Sequence, residues 1–231
     1  MRVLQVFGRL DCGGAETMLM NLYRNTDREK VQFDFVMHTT DECYYSEEIR
    51  NLGGKIYSVP RFNVLNIFSY IKAWKDFFKE HNEYKLIHAH MYSTASIYLR
   101  TAKKNGIKTI AHSHSTSNGK GMDAIIKNLF QLPIRYIADN LFACSLGAGE
   151  WLYGKKACRQ DNFYILNNAI DTKRFVYDEN IRNKLRRELD IENKFAIICV
   201  GRFSEVKNHK FLVKIFKETV SRHENSVLLL A

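Results

Sequence analysis

The chain has 231 residues, of which 45% are hydrophobic and 13% aromatic, so it can build a substantial core and is not a disordered chain. Its formal net charge of +10 favours an anionic partner, although ordinary solvated lysines would produce the same balance. No apolar run approaches the roughly 20 residues that span a bilayer, and the N-terminus is too short and strand-like for a signal peptide. The five cysteines form no Cys-x-x-Cys pair, which indicates reduced thiols in a cytoplasmic protein.

Strand-like and helical segments alternate over most of the chain. The apolar run 3–7 precedes a helical pattern that begins near Ala15. Further strands are predicted at 31–37, 55–59, 86–90, 109–112, 141–144 and 163–166. Helices are predicted at 67–78, 95–102 and 125–137, the last with a break at Pro133. This alternation predicts an α/β domain, residues 1–171, with a doubly wound and mostly parallel sheet.

The pattern then restarts. A charged helix over 178–189, a strand over 195–200, a helix around 211–216 and a strand over 226–231 predict the beginning of a second α/β domain, residues 172–231. Two strands and their helices cannot cover both faces of a parallel sheet. We therefore expect an incomplete second domain, with self-association through 227–230 or disorder of much of 195–231.

Two adjacent glycines, Gly13 and Gly14, lie at the first strand-to-helix junction. Glycine lets a ligand approach backbone N–H groups, and a helix N-terminus favours anions. The alternative is a turn glycine with a purely structural role. The stretch is neither a G-x-G-x-x-G fingerprint nor a Walker sequence.

Two His-x-His runs, His88-Ala-His90 and His112-Ser-His114, close predicted strands. Alternate residues share a strand face, so each pair can converge on one site. Metal binding by imidazole is one interpretation, but no nearby cysteine or carboxylate cluster completes a metal site. Polar termination of buried strands, with one histidine open to an active cleft, is another. We expect a histidine that hydrogen-bonds a substrate, and no metal.

A third feature follows the first strand of the second domain, where Gly201, Arg202 and Lys207 share one loop. A guanidinium and an ammonium in one loop suit a diphosphate, although a solvated basic loop is the simpler alternative. A glycine loop in one domain and a basic loop in the next together predict that a nucleotide diphosphate is bound.

These motifs resemble those of retaining glycosyltransferases of family 4, which have the GT-B fold of two facing α/β domains, and in particular the exopolysaccharide and capsular-polysaccharide enzymes. The resemblance covers the whole chain and rests on residues 13–16, 110–114, 143–145, 149–155, 165–171 and 200–209.

The resemblance implies transfer of a sugar, with retention, from a nucleotide-diphosphate donor such as a UDP-sugar to a lipid-linked or saccharide acceptor in surface polysaccharide synthesis. It implies that Gly13, Gly14, Arg202 and Lys207 contact the donor diphosphate and that His112 is the catalytic residue that contacts the donor sugar. It also implies that neither a metal nor another cofactor is required.

Two departures qualify that expectation. The family's Asn-Gly-Val-Asp turn reads Asn-Ala-Ile-Asp at 168–171, and its downstream pair of glutamates is absent from this sequence. The chain therefore resembles an enzyme truncated in its second domain. The alternative function is a non-catalytic module that binds an acceptor or a second polypeptide that completes the fold. Nucleic-acid binding is not expected, because no recognised motif accompanies the positive charge.

A peripheral contact with the inner face of the membrane is also predicted. The helix that begins near Ile67 combines aromatic side chains with three lysines. The aromatics are Phe68, Trp74, Phe77 and Phe78. The alternative is that these aromatics face the core of the domain.

Overall fold

A computed structural model of the chain describes residues 1–119 and 121–231. It divides into two compact units, Met1–Ile170 and Asp171–Ala231. The domain boundary predicted from the sequence, between residues 171 and 172, lies one residue later. Each unit is described by itself.

The first unit is built on a parallel sheet in which the described residues form seven strands. The strands are β1 (Arg2–Val6), β2 (Gln32–Met37), β3 (Ile56–Ser58), β4 (Leu86–Ala89), β5 (Lys108–Ser113), β6 (Asn140–Ala143) and β7 (Phe163–Ile165). Their order across the sheet is β3-β2-β1-β4-β5-β6-β7. The chain leaves β1 towards β2 on one side and later returns to β4 on the other, so the order reverses between β1 and β4. Ligands of open α/β sheets bind at such a point, beyond the carboxyl ends of the strands.

Helices connect the strands and are packed on the sheet. They are α1 (Gly14–Asn25), α2 (Ser46–Asn51), α3 (Ile67–Glu80), α4 (Ala95–Lys104), α5 (Met122–Gln131), α6 (Ile134–Ile137) and α7 (Leu146–Tyr153). Pro133 separates α5 from α6, as predicted from the sequence. The short helices α2 and α7 are absent from the sequence prediction.

Two apolar clusters form the core of this unit. The larger includes Leu4, Ile87 and Ala111 of the sheet together with Trp74 and Tyr98 from α3 and α4. The rings of Trp74 and Tyr98 are stacked, with centroids 4.9 Å apart. The second cluster contains side chains of α1, α2 and the strands β1 and β2. Because strand residues alternate between faces, Ile87 and Ala89 point into the larger cluster while His88 and His90 point to the opposite face.

The second unit contains α8 (Glu179–Glu188), β8 (Phe195–Cys199), α9 (His209–Arg222) and β9 (Ser226–Leu230). The strands β8 and β9 form a parallel pair in which Phe195 lies opposite Ser226 and Cys199 lies opposite Leu230. Asp178 begins α8 by accepting a hydrogen bond from the backbone N–H of Ile181.

The α/β fold class with a parallel sheet, predicted from the alternation of elements, is confirmed. Of the helices in the described part of the chain, none combines the length and the apolar content needed to traverse a bilayer.

Candidate functional site

The glycine loop joins β1 to α1 at the carboxyl edge of the sheet. Gly13 precedes the helix with an extended backbone, φ −106°, and Gly14 is its first residue. Neither glycine is among the described residues with a positive φ, so the left-handed backbone that favours glycine is not the reason for glycine here. A Cβ at Gly14 would meet no heavy atom within 4 Å. The backbone at Gly14 is therefore open to an approaching group, whereas a Cβ at Gly13 would clash with Oε2 of Glu16.

The two His-x-His runs meet on one face of the sheet. His88 Nε2 lies 3.2 Å from His112 Nδ1, and His90 Nδ1 lies 2.8 Å from His114 Nε2. The rings of His88 and His112 are nearly parallel, at 3°. The sequence predicts that each pair converges; the structure brings both pairs into one cluster, which we call the histidine cluster (His88, His90, His112 and His114).

Gln5 of β1 joins this cluster although it is absent from the sequence prediction. Its Oε1 lies 2.9 Å from His90 Nε2. An amide oxygen only accepts, so His90 Nε2 carries the proton and His90 Nδ1 carries the lone pair, which accepts from His114 Nε2. The sequence signal for Gln5 is a polar residue within the apolar run 3–7, two positions before Phe7, whose ring stacks on His90 at 4.3 Å.

Burial keeps the cluster neutral. It lowers the pKa of His88 to about 3 and that of His114 to about 4. Burial, with neighbouring imidazoles as the smaller cause, also holds the pKa of His90 and His112 well below the ordinary range. At neutral pH these side chains therefore act as hydrogen-bonding groups or as ligands, not as cations.

One member of the histidine cluster, His90, lines a cavity. This residue lines a cavity of about 300 Å³ together with Gly8, Ala15, Glu16 and Asn118. His112 is completely buried, and its Nε2 has no hydrogen-bond partner among the described residues. The histidine that faces the cavity beside the glycine loop is thus His90, whereas the sequence analysis assigns the substrate contact to His112.

A larger cavity, of about 740 Å³, lies at the ends of β1, β2 and β4. Its walls include three cationic side chains, Arg9, Arg61 and Lys127. Arg9 is paired with Asp11 and Asp41 at 2.7 and 2.6 Å. His38 also lines it, and burial lowers the pKa of His38 to about 4. This cavity was not predicted from the sequence, because its walls come from loops far apart in the chain.

In the second unit, the basic loop follows β8. The side chain of Lys207 folds back over Gly201, so a Cβ at Gly201 would lie 3.5 Å from Lys207 Cε. Arg202 and Lys207 are both exposed. Asn208, with φ 51°, turns the chain into α9. The two cations are thus accessible within one short loop of this unit.

The burial of aromatic side chains in α3 corrects part of the predicted membrane contact. Trp74, Phe77 and Phe78 are buried in the core, and only Phe68 of the four is exposed. The amphipathic spacing therefore reflects core packing. A separate groove of about 980 Å³ lies between α3, α4 and α5, with an apolar floor that includes Ile67, Ile71 and Ile97. Its cationic wall residues are Lys75, Lys79, Arg100 and Lys104.

Comparisons with known proteins agree with this architecture. EpsF of Bacillus subtilis (strain 168), named as a glycosyltransferase, is 34% identical over 235 residues, which cover 100% of this chain and 61% of EpsF. The structure of Anabaena Alr3699/HepE in complex with UDP and glucose superposes with a TM-score of 0.74 at 16% identity, covering 100% of this chain and 60% of HepE. A glycosyltransferase from Rickettsia africae ESF-5 has a TM-score of 0.69 at 12% identity, covering 99% of this chain and 68% of that one.

The chain thus spans about three fifths of the length of EpsF and HepE. The structural likenesses show a shared GT-B-type fold. The sequence profile named Glycosyltransferase Family 4 matches residues 12–174, which is well over half of the chain and contains the glycine loop and the histidine cluster. On this evidence the chain belongs to Glycosyltransferase Family 4.

Proposed function

We propose that this chain takes part in the transfer of a sugar, with retention at the anomeric carbon, from a UDP-sugar to a lipid-linked or saccharide acceptor in surface polysaccharide synthesis. The observation that carries the proposal is the glycine loop, open at Gly14, at the point where the strand order reverses, in a member of Glycosyltransferase Family 4. The UDP and glucose in the HepE structure support a nucleotide-sugar donor.

The donor diphosphate is bound by two kinds of group. In the first unit, the diphosphate lies at the start of α1, where the helix dipole favours an anion. The N–H of Gly13 already donates to the carbonyl of Asp11 at 2.8 Å, so the N–H of Gly14 is the backbone donor that we assign to the diphosphate. Arg202 and Lys207 each supply a positive charge. These groups neutralise the leaving diphosphate without a metal ion. His112 contacts the donor sugar through Nε2, the nitrogen without a partner among the described residues, only if this completely buried atom becomes accessible on binding; His90 is the histidine that already lines the 300 Å³ cavity.

The acceptor is bound by the first unit, residues 1–170. Its 740 Å³ cavity is large enough for a sugar, and Arg61 and Lys127 suit the phosphate of a lipid-linked acceptor, whereas Arg9 is already paired with Asp11 and Asp41. The protein works at the cytoplasmic side of the membrane, where the groove between α3, α4 and α5 contacts anionic lipid.

UDP binding to Gly14→Ala tests the proposal. A Cβ at this position meets no protein atom, so the variant keeps its fold, while the added methyl group obstructs a phosphate that approaches the backbone. We expect isothermal titration calorimetry to show at least a tenfold weaker affinity for UDP, which corresponds to about 1.4 kcal/mol.

Gly147→Ala is the matched control. Gly147 also lies in the first turn of a helix, α7, and a Cβ there meets no atom within 4 Å. The preceding strand β6 is three positions away from β1, or about 14 Å across the sheet. Unchanged UDP affinity in Gly14→Ala, or an equal loss in Gly147→Ala, would contradict donor binding at the glycine loop.

The second candidate is a non-catalytic module that binds an acceptor or a partner polypeptide. It is favoured by the position of the 740 Å³ cavity, whose walls lie wholly within the first unit. Binding of a sugar phosphate that survives Gly14→Ala, in a protein that binds no UDP, would favour this candidate over the transferase.

A further inference from the structure

The histidine cluster has the geometry of a metal site. One ligand nitrogen from each of His88, His90 and His112 can be chosen so that all three lie within 4.8 Å of one another. The 3.2 Å between His88 Nε2 and His112 Nδ1 is close to the separation of about 3.3 Å that two nitrogens adopt when both bind one tetrahedral Zn²⁺ at about 2.0–2.1 Å. Two imidazoles are therefore already spaced for a shared cation.

The third imidazole is oriented by Gln5. Because His90 Nε2 donates to Gln5 Oε1, the lone pair of His90 is on Nδ1. A metal-bound histidine characteristically donates its other ring N–H to such an oxygen, which holds the tautomer and the ring in place. Gln5 therefore has the position of an outer partner of a metal ligand.

The cluster also has an access route and an unsatisfied atom. His90 lines the 300 Å³ cavity, so an ion can reach the cluster from that side. His112 is completely buried, yet its Nε2 has no partner in the described part of the chain. An imidazole-only ligand set suits zinc, copper, nickel and cobalt, and does not suit magnesium or calcium, which prefer oxygen ligands.

We propose that His88, His90 and His112 form a binding site for one divalent transition-metal ion, with Zn²⁺ as the representative ion and a fourth coordination position open towards the cavity. The sequence favours no metal because no nearby cysteine or carboxylate cluster completes a site with the His-x-His runs. The structure adds the ligands of the neighbouring strand. The proposed sugar transfer does not require this ion, although His112 belongs to both proposals, with Nδ1 facing the ion and Nε2 facing the donor sugar.

Metal binding moves one proton within the His88–His112 pair and releases none from it. Without metal, one proton lies between His88 Nε2 and His112 Nδ1. With metal on both nitrogens, the donor imidazole carries its proton on its other ring nitrogen and stays neutral. The N–H of His114 that points at His90 Nδ1 gives up that acceptor to the ion.

Titration of the whole chain, purified without a polyhistidine tag, with Co²⁺ and Zn²⁺ tests the proposal. We expect one equivalent of Co²⁺ with the visible absorption of a four- or five-coordinate ion, displaced by Zn²⁺. His112→Asn should weaken Co²⁺ affinity at least tenfold. The matched control is His38→Gln, which alters another buried histidine, outside the histidine cluster, and should bind Co²⁺ as the parent protein does.

Three results would overturn the site: no stoichiometric Co²⁺ on the parent protein, unchanged affinity in a folded His112→Asn, or equal loss in His38→Gln. If His112→Asn does not fold, X-ray absorption on the Zn²⁺-loaded parent protein decides. Three imidazole nitrogens at about 2.0 Å support the site, and fewer than three exclude it. None of these measurements depends on UDP binding or sugar transfer, so they remain decisive if the proposed function fails.

Discussion

The hydroxyl of Tyr84 donates a hydrogen bond to Oδ2 of Asp34, 2.7 Å away across 50 residues of chain. Asp34 is completely buried and also accepts hydrogen bonds from Arg2 and from the backbone N–H of Lys55. Burial raises the pKa of Asp34, but the hydrogen bonds outweigh it and the resulting pKa is lower than usual. The Asp34 carboxylate on β2 thus links three neighbouring segments: β1 through Arg2, the residue before β3 through Lys55, and the segment before β4 through Tyr84.

Asp34→Asn should destabilise the first unit substantially. It removes a buried charge that Arg2 pairs with and leaves at least one donor without a charged acceptor. We expect the free energy of unfolding in urea to fall by about 3 kcal/mol. Asp76→Asn, which breaks an exposed pair with Lys72, should change it by less than about 0.5 kcal/mol. Equal effects of the two variants would contradict this role of Asp34.

His38 should make stability depend on pH. Its Nδ1 donates to the carbonyl of Phe7 at 3.1 Å and its Nε2 accepts from the hydroxyl of Tyr70 at 2.7 Å, an arrangement that suits the neutral ring. Burial lowers its pKa from 6.5 to about 4, so the unfolded chain binds this proton first as pH falls. The lowered pKa of His38 contributes about 3 kcal/mol to the free energy of unfolding above pH 6.5. This contribution is lost as the pH falls from about 6.5 to about 4.

Urea unfolding of His38→Gln from pH 4 to 8 checks this expectation. Other buried histidines act in the same direction in both proteins, so the difference between the two curves isolates His38. The difference should shrink as pH falls from 6.5 to 4. Parallel curves would show that His38 titrates alike in the folded and unfolded chain.

His112→Ala should abolish most sugar transfer while leaving the far-UV circular dichroism unchanged, if His112 contacts the donor sugar. Complete burial of the ring also permits a structural role, in which case the variant loses its fold together with its activity. Measuring both quantities on one preparation separates the two roles. A folded variant with normal turnover would remove His112 from the site.

Arg202→Ala and Lys207→Ala should each weaken UDP binding by about 1.5–3 kcal/mol, the usual value of a hydrogen bond to a charged group. The loss should diminish at high salt, because both side chains are exposed and their charges are screened. Lys210→Ala, an exposed cation in the first turn of α9, is the control and should bind UDP normally. Calorimetry at two salt concentrations measures the effect. If the three variants bind UDP with equal affinity, Arg202 and Lys207 have no specific role in UDP binding.

The groove between α3, α4 and α5 should bind anionic bilayers. Leu65, just before α3, is 96% exposed, and Phe68, in its first turn, is 85% exposed. Lys75, Lys79, Arg100 and Lys104 line the groove. Leu65→Ser with Phe68→Ser should reduce sedimentation with anionic vesicles, and Tyr44→Ser, which alters another exposed aromatic, should not. Equal partitioning to neutral and anionic vesicles, insensitive to salt, would contradict electrostatic attraction.

The order of the strands and of the longer helices follows from the sequence by itself, without α2 and α7. The α/β class, the break at Pro133 and the position of Gly13 and Gly14 between β1 and α1 are all predicted from it. Apolar periodicity and the missing N–H of proline determine structure over a few neighbouring residues, so both can be recognised in the local sequence.

The composition of the histidine cluster depends on the tertiary structure. His88 and His112 meet because β4 lies beside β5, and Gln5 reaches His90 because β1 lies on the other side of β4. The same is true of α3, where amphipathic spacing marks a buried face but does not say whether core or lipid covers it. Strand order and the covering of a helix face are non-local contacts, which short-range periodicity cannot encode.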